Sequence, residues 1–346
     1  MQWNTPDVKQ MNMEKIRKEI MRTDKCTKAE IARRTGLSVA TCNSIINEML
    51  EKKELILSEQ ANSPMGRPAA LYEYDHNFHH VLGVAVHSGE KDFVEYAIGD
   101  AVGNVIKREH AEERVITDDS IAELIRMEIE QDPLIRCVSV GIPGVIDKGR
   151  IALCDISELN DVMLEEELKE RFGVDCVVYN DMDLITRGVY EKRNSKDAGL
   201  AVILFPAYGT AFVGAGFAIN GRVLRGSTHF SGELSYVAEA FGYTRSEMLE
   251  VRNDPMKYLQ YIAQTIVVAI ATFDPVEIIL MGKEFRSERI AQIRAACTKI
   301  IPPSHVPEMS GEDDVNGAYL SGLMTASLNR IDFPLLEPMY VDMAKR

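Results

Sequence analysis

The order of strand-like and helix-like segments after residue 80 constrains the fold more than any other feature of this sequence. Two successive rounds each predict three strands, a helix, a strand and a helix. The first round places strands at 81–86, 93–98, 103–108, 137–141 and 176–179 and helices near 119–130, 163–172 and 182–192. The second places strands at 200–206, 211–219, 222–225 and 276–281 and helices near 255–273, 286–300 and 315–328. The repetition predicts an α/β body of two lobes.

Length and composition leave room for a smaller unit beside this body. The chain has 346 residues, 46% of them hydrophobic and 27% charged, which suggests about two domains and excludes a disordered or collagenous protein. No apolar run reaches the roughly 18–20 residues of a membrane span, and the N-terminus lacks a signal-peptide pattern, so we expect a cytoplasmic protein. The six cysteines form neither a CxxC motif nor a zinc-type cluster with histidine, so we expect most to be buried and free.

The first 75 residues follow a different pattern, with three helices and a hairpin. Thr27–Glu30 has the spacing of a capping box, in which a Thr hydroxyl and a Glu carboxylate each bind the other residue's backbone N–H. Gly36 suits the position after that helix, and Ser38 is a good N-cap for the next one. Two short strands, at 55–57 and 71–74, follow the third helix. Two helices joined by a tight glycine turn and followed by a hairpin are typical of a winged helix-turn-helix.

The second helix of this motif presents polar side chains opposite its apolar stripe, where they could reach base edges in a major groove. Basic residues flank it and could contact phosphates. The predicted DNA-binding residues are Lys28, Arg33, Arg34, Ser38, Thr41, Asn43, Ser44, Asn47 and Arg67. Because the helix face itself carries no Lys or Arg, a helical protein–protein module or a merely solvated polar face stays open as an alternative.

The charge distribution also favours the N-terminal residues as the place for a polyanion. Residues 1–75 hold 12 Lys and Arg against 11 Asp and Glu, whereas the rest of the chain holds 27 against 42. Any nucleic acid is therefore expected to bind the first 75 residues. In the loop between the two strands, Arg67 lies between Gly66 and Pro68, and proline keeps the preceding residue extended. Such an arm suits an A·T-rich minor groove, the alternative being a plain turn.

Several motifs resemble those of the ROK family (repressor, open reading frame, kinase), in the family's order and over nearly the whole chain. They are the run from Thr27 to Asp75, Ile142–Asp147 followed by Gly149, Val178–Asp181, the glycine-rich Gly214–Gly226 and the pair Gly232–Glu233. The resemblance implies a winged helix-turn-helix followed by a two-lobed, duplicated domain of the sugar kinase/actin/Hsp70-like (ribonuclease H-like) fold. We expect a DNA-binding domain at 1–75 and a regulatory domain at 76–346, with lobes at about 76–195 and 196–346.

The resemblance also implies a sugar site. In family kinases the Asp of the motif at 178–181 takes the proton from the sugar hydroxyl, which makes Asp181 the vestigial kinase base here. We expect a polyol ligand at Gly144, Asn180, Asp181, Glu233 and Tyr236, because a carboxylate and an amide can hold neighbouring hydroxyls by paired hydrogen bonds. The competing interpretation is that Asn180 and Asp181 only cap a helix and that Glu233 only begins one.

The sequence departs from the family pattern where its kinases bind ATP and zinc. The early phosphate hairpin has Ala85 in place of its metal-binding Asp and His87–Ser88 in place of its glycine pair. Phe212 stands where the second phosphate loop has glycine, and the late glycine pair is Gly282–Lys283. Tyr236 replaces the zinc-binding histidine, and the cysteines that should follow it are missing. We therefore expect no ATP cofactor, no metal and no enzyme activity.

Together these features predict a sequence-specific transcriptional regulator of carbohydrate metabolism, a repressor that binds operator DNA as a homodimer or homotetramer without a membrane partner. A sugar or sugar derivative would bind in the ATP-incompetent body, whose closure would change the spacing of paired DNA-binding units. Two alternatives stay open. One is a sugar kinase that phosphorylates a hexose with Asp181 as base, and the other is a regulator that has lost its small ligand and responds to a partner protein.

Overall fold

The computed structural model describes residues 5–61, 69–89, 91–111, 115–193, 199–205, 213–335 and 339–341. Within these ranges the strands form one three-stranded sheet, two five-stranded sheets and one two-stranded hairpin. The three-stranded sheet belongs to the N-terminal residues, and each five-stranded sheet is the centre of one lobe of the body. The predicted winged helix-turn-helix and the predicted duplicated α/β body are both confirmed.

Residues 5–74, which we call the head, form the winged helix-turn-helix. Its elements are α1 (Thr5–Thr23), β1 (Lys25–Cys26), α2 (Lys28–Thr35), α3 (Val39–Glu51), β2 (Leu55–Ala61) and β3 (Ala69–Tyr74). The capping box begins α2, because the Thr27 hydroxyl accepts the Glu30 N–H at 3.2 Å and the Glu30 carboxylate accepts the Thr27 N–H at 2.8 Å. Each of the three helices contributes at least one fully buried isoleucine to the shared core, among them Ile16, Ile31 and Ile46. The sheet has the order β1-β3-β2, and β1 was too short for sequence reasoning to predict.

The first lobe contains every strand and helix that the sequence predicts for it. Its elements are β4 (His80–His87), β5 (Phe93–Gly99), β6 (Val105–Ala111), α4 (Asp118–Gln131), β7 (Ile135–Ile142), β8 (Gly144–Asp147), β9 (Arg150–Cys154), α5 (Leu164–Phe172), β10 (Asp175–Asn180) and α6 (Asp181–Arg193). The sheet order is β10-β7-β4-β5-β6, with β10, β7 and β4 parallel and the rest antiparallel. The hairpin β8–β9 was not predicted, because its short strands lie in a glycine-rich motif without clear alternation.

The second lobe repeats this topology. Its elements are β11 (Leu200–Leu204), β12 (Gly214–Ile219), β13 (Arg222–Val223), α7 (Ser235–Ala240), α8 (Arg245–Asn253), α9 (Pro255–Phe273), β14 (Glu277–Met281), α10 (Ser287–Cys297), β15 (Glu308–Glu312) and α11 (Val315–Asp332). The sheet order is β13-β12-β11-β14-β15. Read from β15 to β13, it matches the order of the first lobe strand for strand. The predicted elements are present, and β15, α7 and α8 are additions to them.

The last helix of each lobe packs on the sheet of the other lobe. α6 contacts β11 and β12, whereas α11 contacts β4 and β7. The two helices also pack against each other, so closely that a Cβ at Gly188 of α6 would lie 1.9 Å from the Ala318 carbonyl oxygen of α11. No side chain fits at that position. Ser327 of α11 donates a hydrogen bond to Ser139 Oγ of β7 at 2.7 Å, which attaches α11 to the first sheet.

A buried charge cluster joins the head to the C-terminal end of α11. Arg17 of α1 donates through Nε to Glu54 Oε1 at 2.6 Å, and the same nitrogen lies 3.6 Å from Asp332 Oδ1. His79 Nε2 lies 3.0 Å from the other carboxylate oxygen of Asp332. All four side chains are at most 7% exposed. The final helix of the second lobe is therefore in direct contact with the first helix of the head.

The remaining compositional predictions concern cysteines, metals and membranes. All six cysteines are free and buried, as predicted. Among the described residues, no helix is both long enough and apolar enough to cross a membrane. The same residues contain no group of three or more His, Cys, Asp and Glu side chains arranged to hold a metal ion.

Candidate functional site

A cleft of about 960 Å³ lies between the two lobes. The first lobe lines it with the ends of β4 and β10, the β8–β9 hairpin and the start of α6, and the second lobe with β11, β12, the residues leading into α7 and the start of α11. All five residues that the sequence predicted for a ligand lie on its wall: Gly144, Asn180, Asp181, Glu233 and Tyr236. Three separate sequence motifs thus meet at one cavity, and their contact with a ligand stays a prediction.

Asn180 and Asp181 lie where β10 ends and α6 begins. The Asn180 amide nitrogen donates to the Gly144 carbonyl oxygen at 2.8 Å, and its amide oxygen accepts the Asp183 N–H at 3.0 Å. Asp181 Oδ1 accepts the N–H of Met182 at 2.8 Å. Asn180 therefore caps α6 and attaches strand β8 to the start of this helix. It has a structural role in the cleft wall whether or not it contacts a ligand. Asp181 uses one carboxyl oxygen on the backbone, and the residue faces the cleft.

The turn after β13 places Glu233 on the opposite wall. Gly232 has a φ of +97°, and a Cβ there would lie 1.8 Å from the Ala215 carbonyl oxygen of β12. Only glycine meets both conditions, so the chain lies flush against β12, where the Gly232 carbonyl accepts the Ala215 N–H at 2.9 Å. Glu233 follows directly and lines the cleft. Tyr236 in α7 packs against Phe230, with ring centroids 5.0 Å apart.

Two carboxyl groups of the cleft, Asp181 and Glu233, have strongly raised pKa values. Burial raises the pKa of Asp181 to about 8; the hydrogen bond from the Met182 N–H opposes this shift, and the nearby carboxylates of Glu233 and Asp155 add to it. Burial likewise raises the pKa of Glu233 to about 7, again with a contribution from Asp155. A protonated carboxyl can donate a hydrogen bond as well as accept one. Near neutral pH this pair can therefore serve both the O–H and the lone pairs of a hydroxyl-rich ligand.

An aromatic group forms the part of the cleft next to the early phosphate hairpin. His87, at the end of β4, stacks on Phe93 with centroids 4.2 Å apart and meets Tyr319 of α11 edge-on at 5.2 Å. Burial lowers the pKa of His87 to about 4, with His110 adding to the shift, so the ring is uncharged at neutral pH. Ala85 is fully buried in β4. Sequence reasoning missed Phe93 and Tyr319 because they lie in ordinary strand and helix patterns, and Phe212 lies outside the described residues.

The polar face of α3 is accessible, and several of its side chains also make contacts within the head. Ser38 caps α3, since its Oγ accepts the Thr41 N–H at 3.1 Å and lies 2.8 Å from Thr41 Oγ1. Lys28 Nζ donates to Asn47 Oδ1 at 2.7 Å, which joins α2 to the exposed face of α3. The structure therefore assigns these four predicted DNA-binding residues internal contacts in addition to any external one.

The other predicted DNA-binding residues differ in their exposure. Arg34 forms an ion pair with Glu19 at 3.0 Å. Arg33 and Ser44 are exposed, whereas Asn43 is half-buried. Arg67 and its neighbours Gly66 and Pro68 lie outside the described residues. Contact of any of these side chains with DNA stays a prediction.

Comparison with known proteins identifies relatives of both parts of the chain. Residues 84–242 match the ROK family, and residues 13–53 match the winged helix-turn-helix DNA-binding family. The xylose repressor of Bacillus spizizenii is 25% identical over 243 residues, which cover 68% of this chain and 62% of that protein. The N-acetylglucosamine repressor of Escherichia coli O6:H1 is 25% identical over 245 residues, which cover 68% of this chain and 59% of the repressor. The match thus spans less than two thirds of either relative.

The fold comparison points in the same direction. The solved structure of a ROK family transcriptional regulator, described as a homologue of the E. coli MLC protein, has a TM-score of 0.67 and 16% identity, covering 93% of this chain and 99% of that one. At this identity the likeness concerns the fold. A two-lobed body of sugar-kinase type behind a winged helix-turn-helix defines the class of protein. The chain is similar to the ROK family over residues 84–242, as the sequence motifs predicted, and to the winged helix-turn-helix family over residues 13–53.

Proposed function

We propose that this protein is a DNA-binding transcriptional repressor of carbohydrate metabolism whose affinity for its operator is controlled by a sugar bound in the cleft. The relatives that support this proposal are named a xylose repressor and an N-acetylglucosamine repressor. The head supplies the DNA-binding fold. The proposed contacts are Arg33, Arg34, Asn43, Ser44 and Arg67, together with the four residues that also make contacts within the head.

The observation that carries the proposal is the course of α11. Its first turns line the cleft through Val315, Asn316 and Tyr319, and its last residue, Asp332, contacts Arg17 of the head. The helix has 18 residues, a length of about 27 Å at 1.5 Å per residue. We propose that α11 can take two positions and that the cleft binds the ligand more tightly in one of them. Ligand binding then favours that position of α11 and, through Asp332 and Arg17, shifts the head.

The same geometry argues against the kinase alternative. A kinase needs Asp181 as a base beside a phosphate-binding hairpin and a metal-binding carboxylate. Here the hairpin side of the cleft carries the stacked rings of His87 and Phe93, and Ala85 has no metal-binding group. We propose that sugar binding occurs without phosphoryl transfer and that no ATP or metal cofactor is needed.

We further propose that the protein acts as a homodimer or homotetramer. Helix-turn-helix regulators read two half-sites about one DNA turn apart with two copies of the recognition helix, so a single head would recognise a short sequence weakly. A change in the position of each head would then alter the match to both half-sites together.

The test uses the full-length protein and an operator selected from a random DNA library. Fluorescence anisotropy would measure operator binding while xylose, glucose and N-acetylglucosamine are added. We expect one sugar to weaken operator binding at least about tenfold, an allosteric coupling of ordinary size. Asp181→Asn should require a higher sugar concentration while its operator affinity without sugar is unchanged.

Asp119→Asn is the matched control, because Asp119 is 79% exposed on α4 and the chemical change is the same. It should respond to sugar like the unmodified protein. Two outcomes would contradict the proposal. One is the absence of specific operator binding, and the other is ATP-dependent phosphorylation of a sugar that Asp181→Asn abolishes, which would establish the kinase instead.

A further inference from the structure

We infer that the cleft takes an unphosphorylated sugar and excludes sugar phosphates. This inference rests on the proposed function, because it narrows the chemical class of the effector. It follows from the charges on the cleft wall and from the place of the basic residues of the body.

The charged side chains that the structure places on the cleft wall are acidic. Asp155, Asp181 and Glu233 line it, and no Lys or Arg does so among the described residues. The segment 206–212, which leads from β11 to the cleft residue Val213, contains no charged residue in its sequence. The histidine of the wall, His87, is neutral because burial lowers its pKa to about 4. A phosphate group therefore meets no cationic partner there.

The cleft disfavours negative charge even before a ligand binds. Burial and neighbouring carboxylates raise the pKa of Asp181 to about 8 and that of Glu233 to about 7. A sugar phosphate carries between one and two negative charges at neutral pH. Bringing that charge beside these carboxyl groups repels the ones that are ionised, or forces them to take up a proton, in a partly buried site where charge is screened less than in water. The free sugar brings no such charge.

The N-terminus of α6, which lies at the cleft, does not compensate. Phosphates often bind the free N–H groups at the start of a helix. At the start of α6 the Met182 N–H already donates to the Asp181 carboxylate, and the Asp183 N–H donates to the Asn180 amide oxygen. The anion-binding position is thus taken by the helix's own side chains.

Three basic residues of the body line a different cavity. Lys148, Arg225 and Arg330 line a space of about 390 Å³ that shares no lining residue with the cleft. Arg225 donates to the Ile146 carbonyl at 2.9 Å and lies over the Tyr340 ring at 4.5 Å, and Arg330 pairs with Asp175 at 2.8 Å. Arg225 and Arg330 are thus engaged with partners outside the cleft.

Isothermal titration calorimetry on the full-length protein tests this inference with matched pairs: glucose and glucose 6-phosphate, and N-acetylglucosamine and N-acetylglucosamine 6-phosphate, with xylose as an additional free sugar. We expect a free sugar to bind and its phosphate to bind at least about a hundredfold more weakly, since like-charge contacts in a binding site cost several kcal/mol of discrimination. A phosphate that binds within tenfold of its free sugar, or more tightly, overturns the inference and leaves the proposed sugar-responsive function intact. If the protein binds none of these free sugars and none of their phosphates, the result contradicts the proposed function and this inference with it.

A pair of variants checks the cause of the selectivity. Glu233→Gln removes from the cleft wall a carboxyl group that is partly ionised near pH 7, and Glu250→Gln removes a carboxyl group from the exposed surface of α8. The ratio of the dissociation constant of the sugar phosphate to that of the free sugar should fall about tenfold in Glu233→Gln and stay the same in Glu250→Gln. If Glu233→Gln binds the free sugar and this ratio is unchanged, the charge of the cleft wall is not the cause of the selectivity, which overturns the inference.

Discussion

Replacing Arg17 with methionine is expected to destabilise the attachment of the head to the body. Arg17 Nε donates to Glu54 at 2.6 Å and lies 3.6 Å from Asp332, and the three side chains are only 7%, 3% and 5% exposed. Removing the guanidinium leaves the buried Glu54 carboxylate without its ion-pair partner and leaves Asp332 with its contact to His79. Breaking a buried pair in this way costs about 3–5 kcal/mol, because the remaining charge has lost both water and partner.

Urea denaturation followed by circular dichroism would measure this loss as a change in the free energy of unfolding. Arg126→Met is the control, since Arg126 pairs with Glu123 and Glu130 on the exposed face of α4 and should contribute far less. A double variant, Arg17→Met with Glu54→Leu, should recover part of the loss because it removes a second buried charge. If Arg17→Met unfolds no more easily than Arg126→Met, the buried cluster does not hold the head, and the proposed route through α11 loses its end point.

Three further predictions concern the cleft and the head. Because burial raises the pKa of Asp181 to about 8 from an ordinary value of 3.8, the folded protein binds a proton that the unfolded chain releases, so stability falls as pH rises between these values. Asp181→Asn should flatten the change in melting temperature between about pH 5 and 8, and an unchanged slope would refute the shifted pKa. Asn43→Ala should relax sequence preference at one base position by about 1–3 kcal/mol, whereas Arg67→Ala should weaken binding to all sequences, as anisotropy with variant operators would show. Incubation with ATP, Mg²⁺ and common hexoses should yield no sugar phosphate above a protein-free blank, and turnover above that blank would contradict the loss of the kinase apparatus.

The sequence predicted the architecture well because its long elements have clear periodicity. The capping box at Thr27–Glu30 and the glycine after α2 define the helix-turn-helix, and both are present in the structure. The strand β15 escaped prediction because Glu308–Glu312 contains a single large apolar residue and pairs only with β14. The hairpin β8–β9 escaped because strands of four and five residues give too little pattern to recognise.

The packing of α6 and α11 across the lobes could not be read from periodicity. Both helices are buried on most of their surface, so no single apolar stripe indicates which sheet each one faces. The contact between Arg17 and Asp332 joins residues 315 positions apart, and nothing in the local sequence of either residue announces it. The link from cleft to head is therefore a property of the three-dimensional fold.

The candidate ligand site was predictable in its members and less so in their roles. Gly144, Asn180, Asp181 and Glu233 were grouped through their motifs, and the structure places them on one cleft. The Asn180 amide donates a hydrogen bond to the Gly144 carbonyl and accepts one from the Asp183 N–H. The second of these is the helix cap that the competing interpretation predicted. The aromatic wall depends on how β4, β5 and α11 pack, and only the structure could show it.

If the cleft and the head are energetically coupled, the binding of sugar and the binding of operator must affect each other. A measurement of sugar binding with and without operator shows this coupling directly. If a sugar lowers the affinity for operator by a given factor, operator must lower the affinity for that sugar by the same factor. Calorimetric titration of the sugar into the full-length protein, alone and saturated with operator, should therefore give two dissociation constants that differ by the factor found in the DNA-binding measurement. Equal dissociation constants with and without operator would contradict the account, because the cleft and the head would then bind their ligands independently.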